Sequence, residues 1–279
     1  MPERQTQTSL SGNTIHSLAA YRAWAVPAAL LGFADRVWAQ DGASHPGTQQ
    51  LLLPHAEPSL CLLQTGEAVQ LSICGPARAP RISALSPDQR LFGITLRPEI
   101  AASLSGVHPN DCIDRMVMPG GALANGLIAL TDEIAPLPTE QALERFVMRF
   151  AQVAHSILGD AEAAPEVEVA RRIRQSEGQI RLGRLGDDLG LSPRQLRRRF
   201  IDRLGISPKR YAREQRLAAA IGEADACARP DWAAIAAGTG YCDQAHLITE
   251  TRDLTGLTPV DLHARRRGMT EISNIEIRS

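Results

Sequence analysis

Residues 190–211 read G-L-S-P-R-Q-L-R-R-R-F-I-D-R-L-G-I-S-P-K-R-Y, and the punctuation of this stretch predicts a short helix with sharp ends. Ser192 is a preferred N-cap, Pro193 suits the first helical position, and Gln195 completes a capping box. Leu196, Phe200 and Leu204 recur at i, i+4 and i+8, the spacing of one buried face. Gly205 then supplies the left-handed residue that stops the helix. Immediately upstream, Leu182, Leu185 and Leu189 give a shorter amphipathic helix closed by Gly190. Two helices joined by a tight glycine-containing turn form a helix-turn-helix.

With Leu196 and Phe200 pointing inward, a step of about 100° per residue puts Arg194 and Arg198 opposite them and Arg197 and Arg199 on the flanks. The segment from Arg194 to Arg203 carries five arginines against one acid, Asp202. A charge run is ordinarily a solvated face. The self-repulsion of so one-sided a stripe, however, is relieved chiefly by phosphates, which points to duplex DNA as the partner.

A diverged copy follows. A shift of 51 residues sets Leu196 on Leu247, Asp202 on Asp253, Gly205 on Gly256, Ser207 on Thr258 and Pro208 on Pro259. Upstream, a shift of 50 sets Leu185 on Ile235 and Gly190 on Gly240, so the second turn holds one extra residue. In this copy Asp243 is the N-cap and Leu247, Thr251 and Leu254 face inward. Its outward side offers Gln244, Ala245, Ile248 and Thr249 beside Glu250, a weaker lure for phosphate. Gln244 can still read adenine, and Ala245 or Ile248 can touch a thymine methyl. Between the copies, residues 208–225 predict one linker helix with Tyr211, Leu217, Ala220 and Ile221 as its packed stripe.

The charge is distributed to match. Residues 1–164 hold 10 Lys and Arg against 15 Asp and Glu, whereas residues 165–268 hold 19 against 14, a net of −5 facing a net of +5. Lys209 is the only lysine, so nearly all cations are planar guanidiniums able to grip phosphate or guanine with two bonds. Five separated cysteines with no C-x-x-C pair read as reduced thiols without a zinc site. The apolar stretch 23–34 is broken by Pro27 and Gly32 and is shorter than the ~20 residues of a membrane helix, so a cytoplasmic protein with no membrane partner is expected.

Working back towards the start, residues 159–165 read as a connector and place a boundary between domains at 21–160 and 165–268. Residues 1–20 and 269–279 are expected to be tails. Apolar runs at 51–53, 60–63, 69–73 and 91–96, separated by Pro and Gly, predict strands of a small sheet or partial barrel. Helices are expected at 99–105, 121–134 and 139–158, the last with Leu143, Phe146, Val147, Phe150, Val153, Ala154 and Ile157 on one face. The fold class is therefore α+β: a β-rich N-terminal domain with flanking helices, and an all-α C-terminal domain of two helix-turn-helix units joined by a linker helix.

The series G-L-S-P-R-Q-L-R-R-R-F (190–200), G-I-S-P-K-R-Y (205–211), G-Y-C-D-Q-A-H-L (240–247) and G-L-T-P (256–259) resembles the AraC/XylS family of transcriptional regulators over about 165–268. The region from Val37 to Arg97 is similar to an uncharacterised N-terminal domain of one branch of that family. The resemblance implies DNA contact from Arg194, Arg197 and Arg198 and from Gln244, Ala245, Ile248 and Thr249. Gln195, Arg199 and His246 complete the candidate set. It also implies a sensing or dimerising N-terminal domain, hence a small-molecule effector or a homodimer. Two departures stand out: an aromatic commonly fills the place of Thr251 and an arginine that of Thr249. No catalytic residue and no cofactor are expected. The alternatives are an alkyl-acceptor DNA-repair enzyme, for which Cys61, Cys74 and Cys112 lack clustered spacing, and a protein-interaction module. In the latter, the acidic N-terminal half would screen the basic one.

Overall fold

A computed structural model describes residues 14–18, 21–42, 49–52, 55, 57–79, 81–84, 86–158 and 164–268. The chain opens with β1 (Thr14–Leu18), β2 (Tyr21–Trp24) and β3 (Ala34–Asp41), continues through β4 (Gln49–Leu52), β5 (Ser59–Thr65), β6 (Ala68–Cys74) and β7 (Arg81–Ala84), and reaches β8 (Gln89–Leu96). A short strand, β9 (Met116–Val117), comes later. Seven strands form one antiparallel sheet in the order β1-β2-β3-β8-β5-β6-β9, and β4 pairs with β7 alone. The expected strands at 60–63, 69–73 and 91–96 lie within β5, β6 and β8, and residues 51–52 of the run at 51–53 lie in β4, Leu53 being outside the described residues. The first twenty residues are not simply a tail, because Thr14–Leu18 pairs with β2. Residues 1–13, 19–20, 159–163 and 269–279 lie outside the described residues, and with them the C-terminal tail and most of the connector expected at 159–165, whose last residue, Pro165, opens a helix.

β8 sits at the centre of the sheet, and Phe92 to Leu96 are buried along it. On one face Trp38 crosses it so closely that a Cβ on Gly93 would stand 2.1 Å from the indole, and the indole nitrogen donates to Thr95 Oγ1 at 3.2 Å. Only glycine admits this crossing. Under the sheet lies α5 (Thr139–Leu158), whose buried Leu143, Phe146, Val147, Phe150 and Ala154 share a core with Trp24, Val37, Leu60, Leu62, Phe92 and Ile94. Burial of each such large side chain contributes about 1.5–3 kcal/mol, so this face carries the N-terminal body. Arg90 ties the sheet to the turn before α5 through Leu137 O (2.9 Å) and Ala135 O (3.3 Å), and it is steadied by Gln64 Oε1 of β5 (2.7 Å).

Flanking helices are α1 (Pro98–Ser105), α2 (Pro109–Cys112), α3 (Gly121–Leu127) and α4 (Leu130–Ile134). The single helix expected over 121–134 is thus two, with buried Leu123, Leu127, Leu130 and Ile134 all in the same core.

The remainder is helical: α6 (Pro165–Gln175), α7 (Leu182–Asp188), α8 (Pro193–Leu204), α9 (Pro208–Asp225), α10 (Trp232–Gly238), α11 (Gln244–Thr255) and α12 (Pro259–Gly268). The internal repeat holds in three dimensions. α10 begins 50 residues after α7, while α11 begins 51 after α8 and α12 51 after α9. Gly190, Gly205, Gly240 and Gly256 all take positive φ, at 64°, 77°, 80° and 74°, the left-handed stops the sequence demanded. α9 runs unbroken and buries Tyr211, Leu217, Ala220 and Ile221. Its first turns belong to the core of α6 to α8, its later turns to the two small cores under α10 to α12. Among the described residues, no helix is long and apolar enough to cross a membrane.

Candidate nucleic-acid interface

The start of α8 is fixed as its residues require. Ser192 Oγ accepts from Gln195 N at 3.3 Å, and Gln195 Oε1 accepts from Ser192 N at 3.0 Å and from Ser192 Oγ at 2.9 Å. Leu196, Phe200 and Leu204 are buried against Val169, Ile173, Leu185 and Tyr211. Arg194, Arg197, Arg198 and Arg199 are exposed, and among the described residues none of them makes an ion pair. Gln195 is exposed too, but its carbonyl oxygen belongs to the capping box, leaving only the amide for a base. Arg203 does not share the stripe. Its Nε donates to the backbone oxygen of Glu99 in α1 at 2.8 Å. Helical phase alone does not single it out: at about 100° per residue Arg203 and Arg197 each lie about 60° from the centre of the buried row, on opposite sides, and it is the side facing α1 that draws Arg203 inward.

α11 is capped by Asp243, whose Oδ1 accepts from His246 N at 2.7 Å. Gln244, Ala245 and Thr249 are exposed and Ile248 is half-buried. The Thr249 and Thr251 hydroxyls bond back to Ala245 O (2.9 Å) and Leu247 O (2.7 Å). Thr251, where the resemblance anticipates an aromatic, is fully buried. His246 is packed more than presented: its ring meets the Tyr241 ring edge-on at 5.3 Å, and its Nδ1 accepts from Cys242 N at 3.3 Å.

Glu250 is also misread by adjacency alone. It does not burden the outward face, since it is only 9% exposed and its Oε1 accepts from Arg213 Nε at 2.9 Å on α9. The cation that does lie outward is Arg252, exposed and outside any ion pair among the described residues, close in angle to Ala245 and Thr249. Helical phase could have found it.

The acidic N-terminal half meets the basic half away from the stripe. Both carboxylate oxygens of Glu99 accept from Arg174 Nη1, at 2.8 and 3.0 Å, and Asp35 Oδ1 lies 3.8 Å from Arg174 Nε. Gln215 on α9 donates to Glu57, Arg210 Nη2 donates to Arg78 O at 3.2 Å, and Pro109 of α2 sits against Gly205 at the end of α8. Desolvation opposes the Arg174 charge, yet the neighbouring Glu99 and Asp35 hold its pKa above the ordinary value. Direct screening of Arg194, Arg197 and Arg198 by acids of the N-terminal body is therefore not what this arrangement does.

Cys61 and Cys112 are buried, and burial pushes the Cys112 thiol up, the reverse of an activated thiolate. His55 Nδ1 contacts Glu57 O and His108 Nδ1 accepts from Asn110 N; among the described residues no three His, Cys, Asp or Glu side chains cluster as metal ligands.

Two capped, glycine-stopped helix pairs around one linker, with a free guanidinium row on the first, define a DNA-binding helix-turn-helix protein of the transcription-regulator class. Residues 185–265 match the family model described as a helix-turn-helix domain, and that domain is of the AraC type. No curated protein matches the chain. Among solved structures, it is similar to ToxT from Vibrio cholerae O395, with 10% identity, 84% of this chain and 96% of that chain covered, and a TM-score of 0.43. A second ToxT crystal form from Vibrio cholerae gives 10% identity, 91% and 100% coverage and the same TM-score of 0.43.

Proposed function

We propose that the protein is a sequence-specific regulator of transcription whose two helix-turn-helix units read adjacent major-groove segments. The observation that carries this is the row Arg194, Arg197, Arg198 and Arg199, four exposed guanidiniums without internal ion-pair partners among the described residues, on one short helix whose ends are fixed by caps. Such a group takes guanine O6 and N7, or a phosphate, through two parallel bonds. α11 contributes the weaker contact, with Gln244 for adenine, Ala245 and Ile248 for a thymine methyl, Thr249 beside them, and Arg252 for the backbone. In this docking mode the first helix of a unit crosses the backbone, a role that suits exposed Arg184 on α7. At 18 residues α9 spans roughly 27 Å, close to the ~34 Å between successive major grooves on one face.

Control comes through the N-terminal body of residues 21–160. Because that body grips α6, the end of α8 and the start of α9, an effector molecule or a second copy binding there would act on the first unit mechanically. Selection from random duplexes with the full-length protein, followed by footprinting, tests the reading. One enriched sequence with two protected segments about one turn apart supports it. Equal retention of all sequences overturns it.

A further inference from the structure

The linker helix and the second recognition helix are joined in two ways. One is apolar: Leu217, Ala220, Ile221 and Ala224 of α9 lie in the small cores that hold Ile235, Ala236, Tyr241, Leu247, Leu254 and Leu262. Such contact is non-directional, and an alanine-lined surface tolerates rotation and sliding. The other is polar and directional. Glu250 of α11 accepts through Oε1 from Arg213 Nε at 2.9 Å and lies 3.4 Å from Arg216 Nη2. Arg213 Nη2 also donates to Asp253. The Arg216 guanidinium stacks 5.6 Å from the Tyr241 ring centroid, and His246 Nε2 stands 3.8 Å from Glu250.

These groups sit at the protein's own interface, not on the outward face of α11. Side-chain exposure is 11% for Glu250 and 20% for each arginine, so neither arginine is presented as a phosphate ligand. Charge-assisted bonds fix geometry as well as energy. α9 is continuous into the first unit, where Tyr211 and Ala212 are buried with Leu196 and Phe200. Whatever fixes α11 on α9 therefore fixes the separation and relative turn of the two recognition helices.

We propose that Glu250, held by Arg213 and Arg216, is a positioning residue that sets the distance between the two recognition helices, so that this cluster decides which half-site spacing the protein accepts. The inference rests on the two-groove reading above. Inserting one base pair between the half-sites turns the second by about 35° and moves it by roughly 3.4 Å, which a rigid protein does not follow.

The probe is the duplex selected by the full-length protein from a random library of about 30 base pairs, long enough for two successive grooves, remade with one base pair added or removed between the protected segments. Each variant is scored by the ratio of its own Kd values on altered and native spacing, which cancels any general gain from losing a negative charge. The wild type is expected to lose about tenfold or more, on the scale of a mismatched base pair, and Glu250→Ala less than about threefold. Glu250→Gln, which keeps an acceptor for Arg213, restores most of the wild-type ratio. Arg213→Met is scored in the same way, so the inference stays testable if Glu250→Ala does not fold. A spacing ratio unchanged from wild type in the folded variants overturns the inference while leaving the two-groove reading intact. A library with no enriched duplex, or a footprint of one segment, overturns the reading and the inference together.

Discussion

Replacing Arg198 by alanine separates a base reader from a phosphate clamp. Arg198 lies opposite Phe200 on α8, is exposed, and makes no ion pair among the described residues, so its removal should cost the fold almost nothing. Surface changes of this kind stay within roughly 0.5 kcal/mol. Alanine is the better helix former, and loss of the like-charge pair with Arg194 at i−4 adds a few tenths of a kcal/mol. Binding to the selected duplex should weaken by about 1–3 kcal/mol, roughly 5- to 150-fold, if Arg198 reads a base. Were all four stripe arginines on phosphates, they would contribute about −3.6 to the slope of log K against log salt, at about −0.9 each. A base-reading Arg198 leaves that slope unchanged in the alanine variant, whereas a phosphate contact shrinks it by ~0.9. Fluorescence anisotropy with selected and scrambled duplexes across a salt series measures both quantities. Equal losses on the two duplexes, together with a shallower slope, would refute the base-reading role.

Three further outcomes concern the stability of the fold. Glu99→Ala strips Arg174 of a two-oxygen partner and leaves it only Asp35, so urea unfolding should show a loss near the low end of roughly 3–5 kcal/mol, largely recovered in the Glu99→Leu, Arg174→Met pair. Glu214 is 8% exposed, and burial, with Glu57 nearby, raises its pKa to about 7 despite the ion pair with Arg210. The folded state then keeps a proton that the unfolded chain releases near 4.5, so stability is full below 4.5 and falls as pH rises through about 7. The total loss should be on the order of 3 kcal/mol, and Glu214→Gln should flatten the profile in pH-dependent thermal melts. Ser192→Ala removes the Oγ that accepts from Gln195 N, leaves the backbone half of the capping box in place, and should cost about 1 kcal/mol by thermal unfolding, with weaker DNA binding as the first turn of α8 frays.

The C-terminal elements were legible because each boundary is written in a residue with one local reason to be there. Ser192, Asp243, Gly190, Gly205, Gly240 and Gly256 fix ends through bonds or dihedrals within four residues, and the ends fell where the sequence put them. β3 was not legible. Its stretch A-D-R-V-W-A-Q-D mixes charges with a buried set of Ala34, Val37 and Ala39 too small to register as an apolar run. It becomes a strand because β2 and β8, the latter some 55 residues on, present edges to it. The fate of individual charges was equally hidden. Glu250 and Asp202 read alike beside their recognition helices, yet Arg213 and Arg216, over 30 residues earlier, draw only Glu250 inward.

The structure therefore divides the C-terminal arginines into two populations that the net charge of +5 could not distinguish. Arg171 and Arg172 hold Glu168, whose pKa they depress to about 2; Arg174, Arg203 and Arg210 hold the N-terminal body; Arg213 and Arg216 hold α11. Arg184, Arg194, Arg197, Arg198, Arg199 and Arg252 are exposed and make no ion pair among the described residues. A guanidinium already held inside the protein, by a carboxylate or, for Arg203, by the backbone oxygen of Glu99, is not free to displace counterions on meeting DNA, so only the second population should enter the salt dependence. Substituting Arg174 should move the unfolding midpoint and leave the salt slope where it was. Substituting Arg197 should do the reverse. A single variant that shifts both by wild-type-sized amounts would break the division, because it would mean that one arginine bridges the internal web and the phosphates at once.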